Sequence, residues 1–155
     1  MFIILIIGLY WKLEPSKTLS TGPLSGTKKS KEKVTILLTF NATGLIKLPP
    51  LFIHKFKTPR DMIGYDKSKL PVDYYWNKSA WMQSSIWNEY LKLLNKRMEK
   101  LNKKILLLID NAPVHTTENS LLLTNVTVHY LPPNTTAHLQ PADAGIINSF
   151  KVCIG

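Results

Sequence analysis

The sequence predicts an α/β domain in which a mixed β-sheet is flanked by helices on both faces. Three observations carry this expectation. The apolar runs Phe2–Ile7 and Ile105–Ile109 are short, continuous and bounded by polar or turn residues, as strands inside a sheet are. Two β-rich stretches surround the turn Asn41-Ala-Thr-Gly44. Between Trp87 and Leu101 the apolar spacing then changes to that of a helix. A chain of 155 residues, 45% of them apolar, is the size of one domain and can bury a core, so residues 1–155 are expected to form a single unit.

The elements follow in order. Phe2–Leu13 reads as a first strand, apolar up to Gly8. Residues 14–33 contain Pro15, Gly22, Pro23 and Gly26 and close on Lys28-Lys-Ser-Lys-Glu-Lys33, which predicts a mobile basic loop. Val34–Phe40 and Leu45–Leu48 are expected to pair as an antiparallel hairpin, with Gly44 supplying a positive-φ turn position. Pro49-Pro50 interrupts pairing, and Leu51–His54 continues as strand. Lys55–Asn77 is turn-rich, with one extended piece at Asp73–Trp76. A long helix is expected from Ser79 to about Lys100, with Trp87, Tyr90, Leu91, Leu94, Met98 and Leu101 along its buried face. The Trp and Met residues are core packing rather than a cofactor box. Ile105–Ile109, five aliphatic residues in a row, predicts a strand buried on both sides. A short helix at Thr116–Leu123, a strand at Val126–Leu131 and a last helix from about Pro141 to Val152 complete the order. That order is the one found in ribonuclease-H-like folds.

Twenty Lys and Arg against ten Asp and Glu leave a formal charge of +10, which favours a polyanionic partner such as nucleic acid. The single Cys153 excludes an intrachain disulfide framework and suits a reducing compartment, with the nucleus preferred to the cytoplasm. Phe2–Ile7 has no basic segment before it and falls far short of the roughly 20 residues that span a bilayer, so no membrane partner is expected. No His and Cys stand at zinc-ligand spacing, and no Gly-rich phosphate loop occurs.

Two acids hold the chemical interest. Asp110 ends the run Leu106-Leu-Leu-Ile, and Asp143 stands at the mouth of the last helix. Carboxylates delivered in this way suit a divalent-cation site for phosphoryl chemistry, since hard Mg²⁺ or Mn²⁺ prefers oxygen ligands. Each also has a plainer reading: Asp110 as a turn former at a strand end, Asp143 as a charge at a helix N-terminus. The first strand, where a third acid would be wanted, carries none.

Four stretches together resemble the DDE transposases of the pogo/Tigger type, which also gave rise to the domesticated centromere protein B and jerky. They are Gly8-Leu-Tyr-Trp-Lys-Leu-Glu-Pro-Ser-Lys-Thr-Leu19, Trp81-Met82, Leu106–His115 with Asp-Asn-Ala-Pro, and Leu131–Lys151 with Leu-Pro-Pro-Asn-Thr-Thr and Gln-Pro-Ala-Asp-Ala-Gly. The resemblance implies a core in which three acids hold two Mg²⁺ ions for cleavage and strand transfer of DNA. Asp110 matches the second acid and Asp143 the third, with Asn111 and His115 as accessory residues. The family's Asp-Glu-Thr falls on Leu5-Ile6-Ile7, so the first acid is absent and activity is expected to fail, the alternative reading being a domesticated, non-catalytic nucleic-acid-binding or protein-interaction module. Glu14, roughly 30 Å further along an extended strand and of opposite parity, is a poor substitute. Both ends look incomplete against the family, which carries helix-turn-helix domains upstream and a longer last helix. Contact with DNA is therefore expected to be mainly non-specific, through basic residues such as Lys28, Lys29, Lys31 and Lys33. Apolar surface left bare by a short last helix would favour self-association.

Overall fold

The computed structural model describes residues 1–10, 32–115 and 121–132. Six strands form one sheet: β1 (Phe2–Tyr10), β2 (Lys33–Asn41), β3 (Leu51–His54), β4 (Asp73–Trp76), β5 (Ile105–Ile109) and β6 (Val126–Tyr130), in spatial order β4-β3-β2-β1-β5-β6. β2 runs antiparallel to both β1 and β3, whereas β1–β5, β5–β6 and β3–β4 are parallel pairs. The sheet is mixed, as expected, and ribonuclease-H-like in arrangement. The first strand lies inside it, between the antiparallel strands and the parallel pair β5–β6.

Alternation along β1 and β2 divides the core in two. Phe2, Ile4 and Leu37 face the single described α-helix, α1 (Ser84–Lys100), and pack with Trp87, Leu91 and Leu94. Leu5 and Ile7 face the other way and pack with Leu9, Leu38 and Phe40. α1 covers one face. The expected last helix, Pro141 onward, lies outside the described residues.

The apolar stripe of α1 is the predicted one up to Met98: Trp87, Tyr90, Leu91, Leu94 and Met98 are all buried. Leu101 departs from it and is 58% exposed, because the helix has already ended. Asn102 takes a left-handed φ of 51°, its N–H bonds Glu99 O, and the N–H of Lys103 bonds Met98 O, the pairing of a Schellman stop. The start also differs, at Ser84 rather than Ser79. Asn77 accepts from the Ser79 N–H and donates to Trp81 O, and Ala80 sits at φ 52° with its carbonyl held by the Thr35 hydroxyl. That turn shuts residues 79–81 out of the helix.

Two further expectations need correction. Leu45–Leu48 is not a strand. Gly44 does turn the chain at φ 71°, but the returning arm makes one isolated bridge, Phe40 to Lys47, before Pro49 and Pro50 remove the donors that would extend it. β3 supplies the antiparallel partner instead. Second, β5 is not buried on both sides: Ile105, Leu107 and Ile109 are covered, while Leu106 is 40% exposed. The short helix expected at Thr116–Leu123 lies outside the described residues apart from 121–123, which are not helical. One 3₁₀ turn, Pro113–His115, forms earlier. The loop expected at 14–33 lies outside the described residues apart from its last two, and Lys33 already belongs to β2.

Candidate functional site at the end of β5

Asp110 follows the last residue of β5. β5 is parallel to β1, with Ile3 opposite Leu108, so continuing the register sets Leu5 level with Asp110. The position where the resemblance asks for an acid is thus adjacent to Asp110 across one strand pair. It holds a leucine only 2% exposed, packed among Ile7, Leu9, Leu38 and Phe40. An ionised carboxylate in that apolar setting would need a compensating charge.

His115 is the one described side chain that engages Asp110 directly through an ion-pair contact. Its Nδ1 lies 2.5 Å from Asp110 Oδ1, and the imidazole is buried while the carboxylate is 41% exposed. The hydrogen bond from His115 holds the Asp110 carboxyl below the usual carboxylate range, against the opposing effect of burial; the charge of His115 and a backbone hydrogen bond at Ala112 add to it. An ionised carboxylate only accepts, so Nδ1 is the protonated nitrogen and donates. The turn Pro113–His115 brings the ring back, and the Tyr130 hydroxyl on β6 donates to His115 O at 2.7 Å. The Trp87 ring of α1 backs the imidazole at 5.2 Å between centroids. Asn111 lies next to Asp110 in the chain, at the exposed surface.

The other acids do not converge here. Asp73 lies on β4 and forms a forked pair with Arg97 of α1 at 3.0 and 3.1 Å. Four strand spacings of about 4.8 Å separate β4 from β5, so Asp73 is roughly 19 Å away across the sheet. Asp66 accepts from the Ser68 N–H in the β3–β4 connection, which also carries Asp61. Two divalent cations require several oxygen ligands at one point. Among the described residues, no three Asp, Glu, His or Cys side chains could hold a metal ion together. The described donor set, one carboxylate beside a buried leucine, does not fit a two-cation site, and Asp143 lies outside the described residues.

Lys33, at the start of β2, has its ammonium 3.3 Å from the centroid of the Trp81 ring, and burial lowers its pKa. Lys28, Lys29 and Lys31 lie outside the described residues. Sequence reasoning missed the two groups that fix His115, Trp87 and Tyr130, because their roles depend on elements distant in the chain. It also passed over Lys55 and Phe56, which share a cleft with Lys33; the alternation Lys55-Phe56-Lys57 was the available signal.

Comparison with known proteins bears on the whole chain. It is 30% identical over 152 residues to the human Jerky protein homolog, covering 92% of this chain and 27% of that protein. It is 30% identical over 154 residues to ARS-binding protein 1 of Schizosaccharomyces pombe, covering 94% and 29%. The chain therefore spans less than a third of the relatives it matches. In fold it resembles a solved Mos1 transposase paired-end complex with left transposon end, at a TM-score of 0.56 and 15% identity, covering 99% of this chain and 41% of the other. Residues 31–155 match the DDE superfamily endonucleases, and the chain belongs to that family.

Proposed function

We propose that this chain is a nucleic-acid-binding domain derived from a DDE transposase core, in which the ancestral Mg²⁺-dependent cleavage and strand transfer of DNA no longer proceeds. One observation carries the reading: Leu5, buried and apolar, stands level with Asp110 where a first carboxylate would complete the site. Asp110 and Asp143 are then surviving ligand positions, with Asn111 and His115 as accessory residues. Without a third acid they cannot share two cations, so no hydrolytic step follows. Binding is a separate matter and does not need the acids. The formal charge of +10 supports a DNA partner, as does a relative named for binding ARS, and a DNA partner is the support for a nuclear location.

The test is nicking of supercoiled plasmid in Mg²⁺ or Mn²⁺, with a mobility-shift titration alongside. The native chain is expected to shift DNA and leave it uncut. Leu5→Asp is expected to gain cleavage, and adding Asp110→Asn to it to abolish that gain. Leu5→Asn, which places a neutral polar group at the same site, reports by its melting whether the position tolerates polarity. Cleavage by the native chain, lost in Asp110→Asn, would overturn the proposal, as would absence of any DNA binding.

A further inference from the structure

The end of the sheet that carries Asp110 continues on the other side of β1 into a basic surface. β2 begins there with Lys33, β3 ends there with His54 and β4 ends there with Trp76, because β2 runs against β1 and β3 while β4 runs along β3. Their flanks enclose a cleft of ≈ 320 Å³ whose lining includes Lys33, Lys55 and Lys78 together with His54 and Phe56. One acid, Glu32, also lines it, so cations outnumber anions three to one.

Aromatic rings accompany these cations. Lys33 sits over Trp81, and Lys55 Nζ is 5.6 Å from the Phe56 centroid. Phe56 is 50% and Trp81 53% exposed, and neither belongs to the core. The Phe56 backbone is fixed from two sides: its N–H donates to His54 Nδ1 at 3.2 Å, and its carbonyl accepts from the Tyr74 hydroxyl at 2.7 Å. Behind it, the rings of Phe52, His54 and Tyr74 stack at 6.0 and 6.3 Å. An exposed ring on a backbone held this way is preorganised for contact rather than needed for folding.

We infer that this cleft, together with the Trp81 ring that Lys33 joins to it, is a platform for single-stranded nucleic acid, with Lys33, Lys55 and Lys78 meeting backbone phosphates and Phe56 and Trp81 stacking on unpaired bases. Lysines alone would serve a duplex, whose phosphates lie outside and whose bases are already stacked. Ring faces gain a partner only when bases are unpaired, and such stacking is tolerant of sequence. The inference rests on the nucleic-acid-binding reading above and adds the surface and the strand state.

Fluorescence anisotropy with a labelled oligothymidylate and with a duplex of equal length separates the two. Phe56→Ala/Trp81→Ala is expected to weaken single-strand binding about tenfold or more and duplex binding less than about twofold. Trp81→Phe, which keeps a ring, should retain most of the affinity. Lys55→Gln/Lys78→Gln should weaken single-strand binding, whereas Lys92→Gln/Lys96→Gln, an equal charge loss at exposed positions of α1, should not. All these side chains are exposed, so unchanged melting is expected throughout. Native binding that the ring and cleft variants leave intact, or that they weaken equally for both strand states, overturns the platform alone. Failure of the native chain to bind either probe overturns the binding reading with it.

Discussion

Tyr90 is buried to 1% exposure, yet its hydroxyl is carried into the core because Thr39 of β2 waits there, the two oxygens 2.5 Å apart. Burial pushes the phenol up to about 12, with the Thr39 hydrogen bond acting in the opposite sense. An unfolded tyrosine ionises near ~10. The folded state thus keeps a proton that the unfolded state releases, so this contribution to stability is whole below about pH 10 and is lost as pH rises toward about 12. Tyr90→Phe should cost about 1–2 kcal/mol at neutral pH by leaving the buried Thr39 hydroxyl without its partner. It should also flatten the alkaline decline. Tyr75, likewise pushed up to about 12 by burial first and by Glu89 and Asp73 after it, is present in both proteins and cancels in the comparison. Urea melts between neutral pH and pH 11 would read the difference; parallel alkaline slopes would refute it.

At the scale of elements, α1 holds the α1-side core together through a stripe that ends where its hydrogen bonds end. Leu94, 1% exposed, and Leu101, 58% exposed, sit two turns apart on the same predicted face. Leu94→Ala should cost about 2–5 kcal/mol through lost burial and an unfilled cavity. Leu101→Ala should stay within about 0.5 kcal/mol, since its side chain already meets water. Chemical denaturation of the two variants decides this, and similar losses would mean that the helix continues past Lys100. The stripe itself was legible, as were β1, β3, β4 and β6, because period 3.6 and continuous apolar runs are set by local burial. What was not legible depends on contacts made across the fold. The left-handed Ala80 needs Thr35 from β2, and the missing strand at 45–48 reflects β3 taking its place beside β2. At the site, the Asp110–His115 spacing could be noted in the sequence. The fixing of that imidazole by Trp87 and Tyr130 could not, since it joins α1, the 3₁₀ turn and β6.

For the whole molecule, the placement of charge distinguishes a general attraction to polyanions from a located interface. If all twenty Lys and Arg acted diffusely, affinity would fall steeply with salt, and no single pair would matter much. A cleft in which Lys33, Lys55 and Lys78 meet phosphates sets a smaller and divisible dependence. Each phosphate neutralised on a single strand contributes a slope of about −0.7 to the logarithm of affinity against the logarithm of salt concentration, so three contacts give about −2. Removing Lys55 and Lys78 should bring the slope to about −0.7, while removing Lys92 and Lys96 should leave it near −2. Titrations of oligothymidylate from low to physiological salt measure all three slopes. A native slope far steeper than −2, reduced equally by either pair, would assign binding to the net charge of +10 as a whole. A slope that follows only the cleft pair would locate contact on the β2–β3–β4 half of the sheet, separate from Asp110. On the proposed reading, the missing first acid removes cutting and leaves this binding surface intact.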